Sequence, residues 1–181
     1  MINNTVQLTF DLGEEVSLNR DDFIASSSNK DALAWIDSWP NWPVNVSGLN
    51  VFGAPSSGKS HLANIWKTKS NALAINDPSL DVINVRELLV DHKNVLIDNF
   101  DNSWKEEPVL HLYNLIQELR GSFIIISEQP VSQMDIKLRD LASRVSTMST
   151  VELKLPDDKI IKGVMRKLFK DRQIDVSNDV V

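Results

Sequence analysis

Gly53-Ala54-Pro55-Ser56-Ser57-Gly58-Lys59-Ser60 places an amine and a hydroxyl directly after the second of two spaced glycines. The spacing is G-x-x-x-x-G-K-[ST], in which converging backbone N–H groups cradle a polyphosphate. Glycine is needed there where a Cβ would block the approach or where φ must be positive, and Gly53 and Gly58 occupy those positions. Lys59 would reach the β- and γ-phosphates as a mobile charge, and the Ser60 hydroxyl would ligate Mg²⁺. The alternative is a glycine-serine turn that matches by chance, and the flanks argue against it. Gly48–Phe52 reads as a short buried strand, and Ser60–Lys67 reads as a helix with Leu62, Ala63, Ile65 and Trp66 on one side. The positive end of that helix points at the phosphates.

A second chemical position closes the apolar run Asn94-Val95-Leu96-Ile97-Asp98, the pattern of a buried parallel strand that delivers a carboxylate at its C-terminal edge. Asp98 would hold Mg²⁺ directly or through water, opposite Ser60; its other reading is a cap for the next loop. A hydrolytic site commonly carries a second carboxylate at the following position, and here the residue is Asn99. An amide orients a water but cannot take its proton, so hydrolysis by this chain alone is expected to be slow. Asp101 is near, but its direction on a loop is not legible. Phe123–Ile126 is the next strand and ends at Ser127, a turn residue or a γ-phosphate sensor. Arg144 ends a short helix expected over 135–144; taken alone, it reads as a solvated charge complementing the helix dipole.

The elements that must position these groups follow from periodicity. Ser26-Ser27-Ser28-Asn29 forms a loop and N-cap for a helix through Trp39, with Ala32, Leu33, Trp35 and Ile36 on its apolar stripe and Pro40 as a stop. Trp35, Trp39 and Trp42 read as core packing rather than a base-stacking platform. A second strand is expected at 71–76, a short helix at 84–90, and a strong helix at 106–120 with Gly121 in the C′ position. A strand at 150–155 precedes a helix that Pro156-Asp157-Asp158 begins and that runs through Lys170.

The 181 residues carry a net charge of −6 without a block of basic residues, which disfavours tight binding to DNA phosphates by the body of the domain. There is no cysteine, and His61, His92 and His111 lack metal-ligand spacing. No apolar run reaches membrane-spanning length, and the N-terminus lacks the pattern of a secretory signal. A soluble, cytoplasmic protein is expected.

Gln7-Leu8-Thr9-Phe10-Asp11-Leu12 has two readings. Leu8, Phe10 and Leu12 alternate as in an edge strand; alternatively, a glutamine followed by spaced apolar residues is a short linear peptide for a partner's groove.

Taken together, the order of elements over residues 19–175 resembles the AAA+ ATPases, and more closely the DnaA initiator family. Asn19–Ile24 with Ser28-Asn29 is similar to that family's adenine-side segment, which assigns nucleotide contacts to Asp22, Phe23 and Ile24. Gly53–His61 resembles its phosphate loop, which adds Ala54, Pro55, Ser56, Ser57 and His61 to the contacts. Ile97-Asp98-Asn99 resembles the metal-binding strand, Ser127 the sensor 1 residue, and Leu141-Ala142-Ser143-Arg144 the arginine-finger box. Among family members, the small regulatory homologues are the nearest likeness. Gln7, Leu8, Phe10 and Leu12 are similar to their sliding-clamp peptide, Asp98-Asn99 to their strand end, and no helix-turn-helix domain follows.

The resemblance implies an α/β fold: a P-loop AAA+ domain at 19–155 with a parallel sheet flanked by helices. A flexible segment at 1–18 would precede it, and the incomplete start of a small helical lid would occupy 156–181. It further implies ATP or ADP with Mg²⁺, weak intrinsic ATPase activity, and Arg144 offered in trans to ATP on the DnaA initiator. The implied partners are that initiator, the DNA polymerase sliding clamp and a second copy of the chain, with no membrane and little or no direct DNA binding. The family's lid continues through further helices that carry a sensor 2 arginine, and the 181 residues end before a match to them. Competing readings are a helicase-loader type AAA+ protein and a nucleotide-stabilised adaptor without hydrolysis.

Overall fold

Five strands pair in parallel in the order β2-β3-β4-β1-β5. They are β1 (Leu49–Phe52), β2 (Leu73–Ile75), β3 (Val95–Phe100), β4 (Phe123–Ser127) and β5 (Ser149–Glu152). The helices are α1 (Lys30–Ser38), α2 (Lys59–Ser70), α3 (Val82–Leu88), α4 (Glu106–Glu118), α5 (Arg139–Ser146) and α6 (Asp158–Asp171). The computed structural model describes residues 19–172 apart from 44, 45 and 47. Gln7, Leu8, Phe10 and Leu12 therefore lie outside the described residues, as does 173–181. No described helix is long and apolar enough to cross a membrane.

The central strands β3 and β4 are mostly apolar because both sheet faces are covered, and successive side chains go to opposite layers. Val95, Ile97, Phe123 and Ile125 face α3, α4 and α5 through Val85, Val109, Leu112, Leu141 and Val145. Leu96, Ile124 and Ile126 join Leu49 and Val51 on the other face, against Leu33 and Ile36 of α1 and Leu62 and Trp66 of α2. Trp35, Trp39 and Trp42 pack into this second layer as expected: Trp66 is fully buried, Trp42 stacks on it at 6.2 Å, and Trp39 meets it edge-on, while Trp104 belongs to the first layer.

Three local expectations need correction. The helix expected over 135–144 begins only at Arg139, because the Glu106 carboxylate accepts the N–H groups of Lys137 (2.9 Å) and Leu138 (2.6 Å) and holds that stretch extended. The helix expected at 84–90 lies two residues earlier, at Val82–Leu88. At the end of α4, Arg120 rather than Gly121 takes the left-handed conformation, with φ 52°. Gly121 N–H bonds to Ile116 O and Arg120 N–H to Gln117 O, the paired bonds of a Schellman motif in which Gly121 is C″.

Glycine is nonetheless required at 121, since a Cβ there would lie 1.5 Å from the carbonyl oxygen of Lys93. The neighbour is backbone and cannot swing aside. Gly121→Ala is expected to destabilise the fold by about 2–3 kcal/mol, the range of an overpacked core position. A lowered urea midpoint at an unchanged m-value is the measurement, and a midpoint within error of wild type would show that the β3 entry yields.

Candidate functional site

The phosphate-loop residues sit between the C-terminal end of β1 and the start of α2, where parallel sheets place their ligands. The two glycines serve different needs. A Cβ on Gly53 would meet Leu153 O at 2.2 Å, so this position requires space; Gly58 has room but φ 95°, so it requires conformational freedom. Gly58 is the N-cap of α2 without a side-chain cap, which leaves first-turn N–H groups facing the loop. Ser56 is also left-handed, with φ 62°. Ser57 Oγ is buried without a hydrogen-bond partner among the described residues, an orphan that a phosphate oxygen would satisfy.

Lys59 is buried and turned back on the loop, with Nζ donating to Gly53 O at 2.7 Å and Ala54 O at 2.8 Å. Burial lowers its pKa, and the negative charges of Glu128 and then Asp98 oppose that shift. Ser60 is exposed at the loop's end.

The carboxylates come from the neighbouring strand ends. β3 and β4 pair in register from Val95 to Ile97 and again at Phe100, and the shift between leaves Asp98 and Asn99 in an irregular step. Asn99 is left-handed at φ 55°; its N–H donates to Asp98 Oδ1, and its carbonyl accepts from the buried Trp104 indole at 3.2 Å. Asp101 is turned into its own loop, accepting from Ser103 N–H and Ser103 Oγ–H, and these bonds lower its pKa. Ser60 and Asp98 would supply the hard oxygen ligands that Mg²⁺ takes, with phosphate and water completing its shell. No group of three or more acidic, histidine or cysteine side chains among the described residues forms an all-protein metal cage.

Ser127 is buried with both roles of its hydroxyl in use: it donates to Gln129 O at 2.7 Å and accepts from Asn50 Nδ2 at 2.9 Å. Asn50 is itself fully engaged, donating also to Ile125 O and accepting from Val131 N–H. This buried amide holds the turn after β4, and Ser127 O accepts from Gly53 N–H at 3.2 Å. The next residue, Glu128, is thereby placed beside the phosphate loop. Sequence reasoning missed both Asn50 and Glu128. A polar residue inside an apolar strand was the available signal for Asn50; an acid following a buried strand, the signal that found Asp98, was available for Glu128.

On the other side of the loop, the segment 22–24 joins α2 to α6. Phe23 packs edge-to-face on His61 at 5.1 Å, Asp22 pairs with Lys167 at 2.7 Å, and Ile24 packs against Gly163. Asn29 does not cap α1 with its side chain; it turns back to accept from Ser26 N–H and donate to Ile24 O, which shapes this segment. Asp157 caps α6 through Ile160 N–H, the main cause of its lowered pKa, and accepts from Ser27 Oγ.

Arg144 is not part of this cluster. It is exposed in the last turn of α5, just before β5, whose first residue Ser149 registers with Leu49 at the start of β1. The phosphate loop follows the other end of β1, about 13 Å away at roughly 3.3 Å per residue. Among the described residues its guanidinium forms no ion pair.

No family model and no curated protein matches this sequence. Solved structures do match in fold. AMPPCP-bound DnaA from Aquifex aeolicus superposes with a TM-score of 0.66 at 17% identity, over 88% of this chain and 57% of that one. Domain III of the Thermotoga maritima replication initiation protein DnaA gives 0.66 at 16%, over 90% and 78%. The Thermotoga maritima RuvB Holliday junction branch migration motor gives 0.65 at 16%, over 89% and 56%. The chain thus spans little more than half the length of two of these proteins. The five-stranded parallel sheet flanked by helices is the AAA+ fold as found in DnaA, as expected.

Proposed function

We propose that this chain is a nucleotide-binding regulator of chromosomal replication initiation, similar to the DnaA homologue Hda. It holds ATP or ADP with Mg²⁺ on Gly53–His61, Asp22–Ile24 and Asp98, and docks on the DNA polymerase sliding clamp through Gln7, Leu8, Phe10 and Leu12. It then offers Arg144 to ATP bound by a DnaA initiator. The observation that carries this reading is that Arg144 is exposed in the last turn of α5, which leads into β5 opposite the start of β1, whereas the phosphate loop follows the end of β1. An exposed guanidinium so placed has no substrate within its chain and is free for one in another. The orphaned Ser57 hydroxyl and the turned-back Lys59 support the nucleotide half. The fold does not choose the partner, since the same architecture serves a branch-migration motor.

The test is conversion of initiator-bound ATP to ADP in the presence of clamp-loaded DNA. Adding the wild-type chain is expected to accelerate conversion by more than tenfold, and a Gln7→Ala, Phe10→Ala double variant is expected to lose both clamp binding and acceleration. No acceleration by wild type overturns the proposal. Wild type that never binds clamp, while folding and binding nucleotide, puts the helicase-loader and adaptor readings ahead.

A further inference from the structure

The sheet end beside the phosphate loop presents three carboxylates, with the Asn99 amide between them, and their surroundings differ. Asp98 flanks the position expected for the metal and accepts the Asn99 N–H. Asp101 is turned toward its own loop, its Oδ1 accepting two bonds from Ser103 that lower its pKa and make it a weaker base. Asn99 can orient a water but accepts no proton in exchange for one. Glu128 is exposed and accepts no hydrogen bond among the described residues.

Three observations place Glu128 between the phosphate loop and the Asp98-Asn99 step. Its preceding carbonyl holds Gly53 N–H at 3.2 Å, so the residue is one peptide from the phosphate loop. Ser127 registers with Phe52 on one side and Phe100 on the other, so Glu128 emerges between the loop and the Asp98-Asn99 step. Glu128 and Asn99 line one groove of about 520 Å³, together with Asp101, Asn102 and Gln129. The buried Asn50 fixes the turn from below, so the carboxylate is carried on a rigid base rather than a loose loop. Of the two carboxylates whose charge acts on Lys59, that of Glu128 is the stronger.

We infer that Glu128 is the general base for hydrolysis of the chain's own nucleoside triphosphate, supplying from the end of β4 the carboxylate that Asn99 lacks at the end of β3. The inference rests on the nucleotide site proposed above. Glu128 takes a proton from the attacking water as the water oxygen bonds to the γ-phosphorus. The bond from that phosphorus to the β,γ-bridging oxygen breaks, and its electron pair leaves with the nucleoside diphosphate. The proton then passes to the inorganic phosphate, restoring the carboxylate. Asn99 orients the water and cannot replace the base. The consequence is that the chain sets its own ATP or ADP state instead of depending on a second protein for hydrolysis.

The experiment is single-turnover hydrolysis of ATP with Mg²⁺ by the full chain, with ATP affinity measured in parallel using a fluorescent analogue. Glu128→Gln is expected to bind equally or more tightly, because one negative charge near the phosphates is gone, while its hydrolysis rate falls about 10²-fold or more. Adding Asn99→Glu to Glu128→Gln, which returns a carboxylate to the β3 end, is expected to recover at least tenfold of the loss. Glu128→Gln turning over at the wild-type rate overturns the assignment, as does wild type that binds ATP without hydrolysing it, or a double variant with no recovery. Wild type that fails to bind ATP at all defeats the nucleotide site itself.

Discussion

At the proposed nucleotide site, Lys59→Met is expected to weaken binding of ATP on the order of 10²-fold while leaving the fold intact. The ammonium would make charge-assisted hydrogen bonds to phosphate oxygens, each worth roughly 1.5–3 kcal/mol. Part of that gain is offset, because Lys59 must release Gly53 O and Ala54 O, which it holds at 2.7 and 2.8 Å. A net loss of about 3 kcal/mol corresponds to the hundredfold effect. Methionine keeps the apolar stem in its buried channel, so a thermal melt without nucleotide should change little, whereas the stabilisation by added ATP should vanish. Burial lowers the Lys59 pKa, so the cost of keeping its charge in the fold is present while the group is protonated and is relieved as pH rises through the folded value. Phosphate binding requires the protonated form, and affinity should therefore fall on the alkaline side before an ordinary lysine would titrate. Unchanged affinity in Lys59→Met would remove Gly53–Ser60 from the nucleotide site.

If the proposed function holds, Arg144→Ala is expected to abolish the acceleration of the initiator's hydrolysis, because a guanidinium supplied in trans would neutralise charge developing on the transferred phosphoryl. The substitution should leave stability within about 0.5 kcal/mol, since Arg144 is exposed while α5 is anchored by the buried Leu141 and Val145. Arg144→Lys should recover little, because an ammonium lacks the planar fork that pairs with two phosphoryl oxygens. ATP binding by the variant itself is expected to be unaffected, as α5 leads into β5 opposite the start of β1 while the loop follows its end. An Arg144→Ala chain as active as wild type would show that stimulation, if present, arises elsewhere on the surface.

Much of this molecule was legible in order along the chain. The phosphate loop, the apolar run into Asp98 and the strand into Ser127 lie where the pattern placed them, because each is dictated by residues next to one another. Glycine at 53 and 58, two-sided burial of Leu96 between Val95 and Ile97, and the tryptophan layer need only local sterics and hydrophobicity to be expected. The Asp157 cap of α6 is similarly local.

What tertiary structure alone decided are the relations between residues far apart in sequence. Register of three parallel strands brings Ser127 beside both Phe52 and Phe100, and that meeting puts Glu128, not Asp101, beside Lys59. The direction of a loop carboxylate depends on its partners: Ser103 claims Asp101, and Asn50 with Gln129 claims the Ser127 hydroxyl. Glu106 reaches from α4 to delay the start of α5, overriding the local helical pattern with two hydrogen bonds from another element. Lys93 O, not a left-handed turn, is what demands glycine at 121. Local pattern determined which groups the chain carries to the sheet end, since backbone propensity and burial act over a few residues. Which of those groups meet was decided by strand order and register, since contact between distant residues exists only once the sheet has formed.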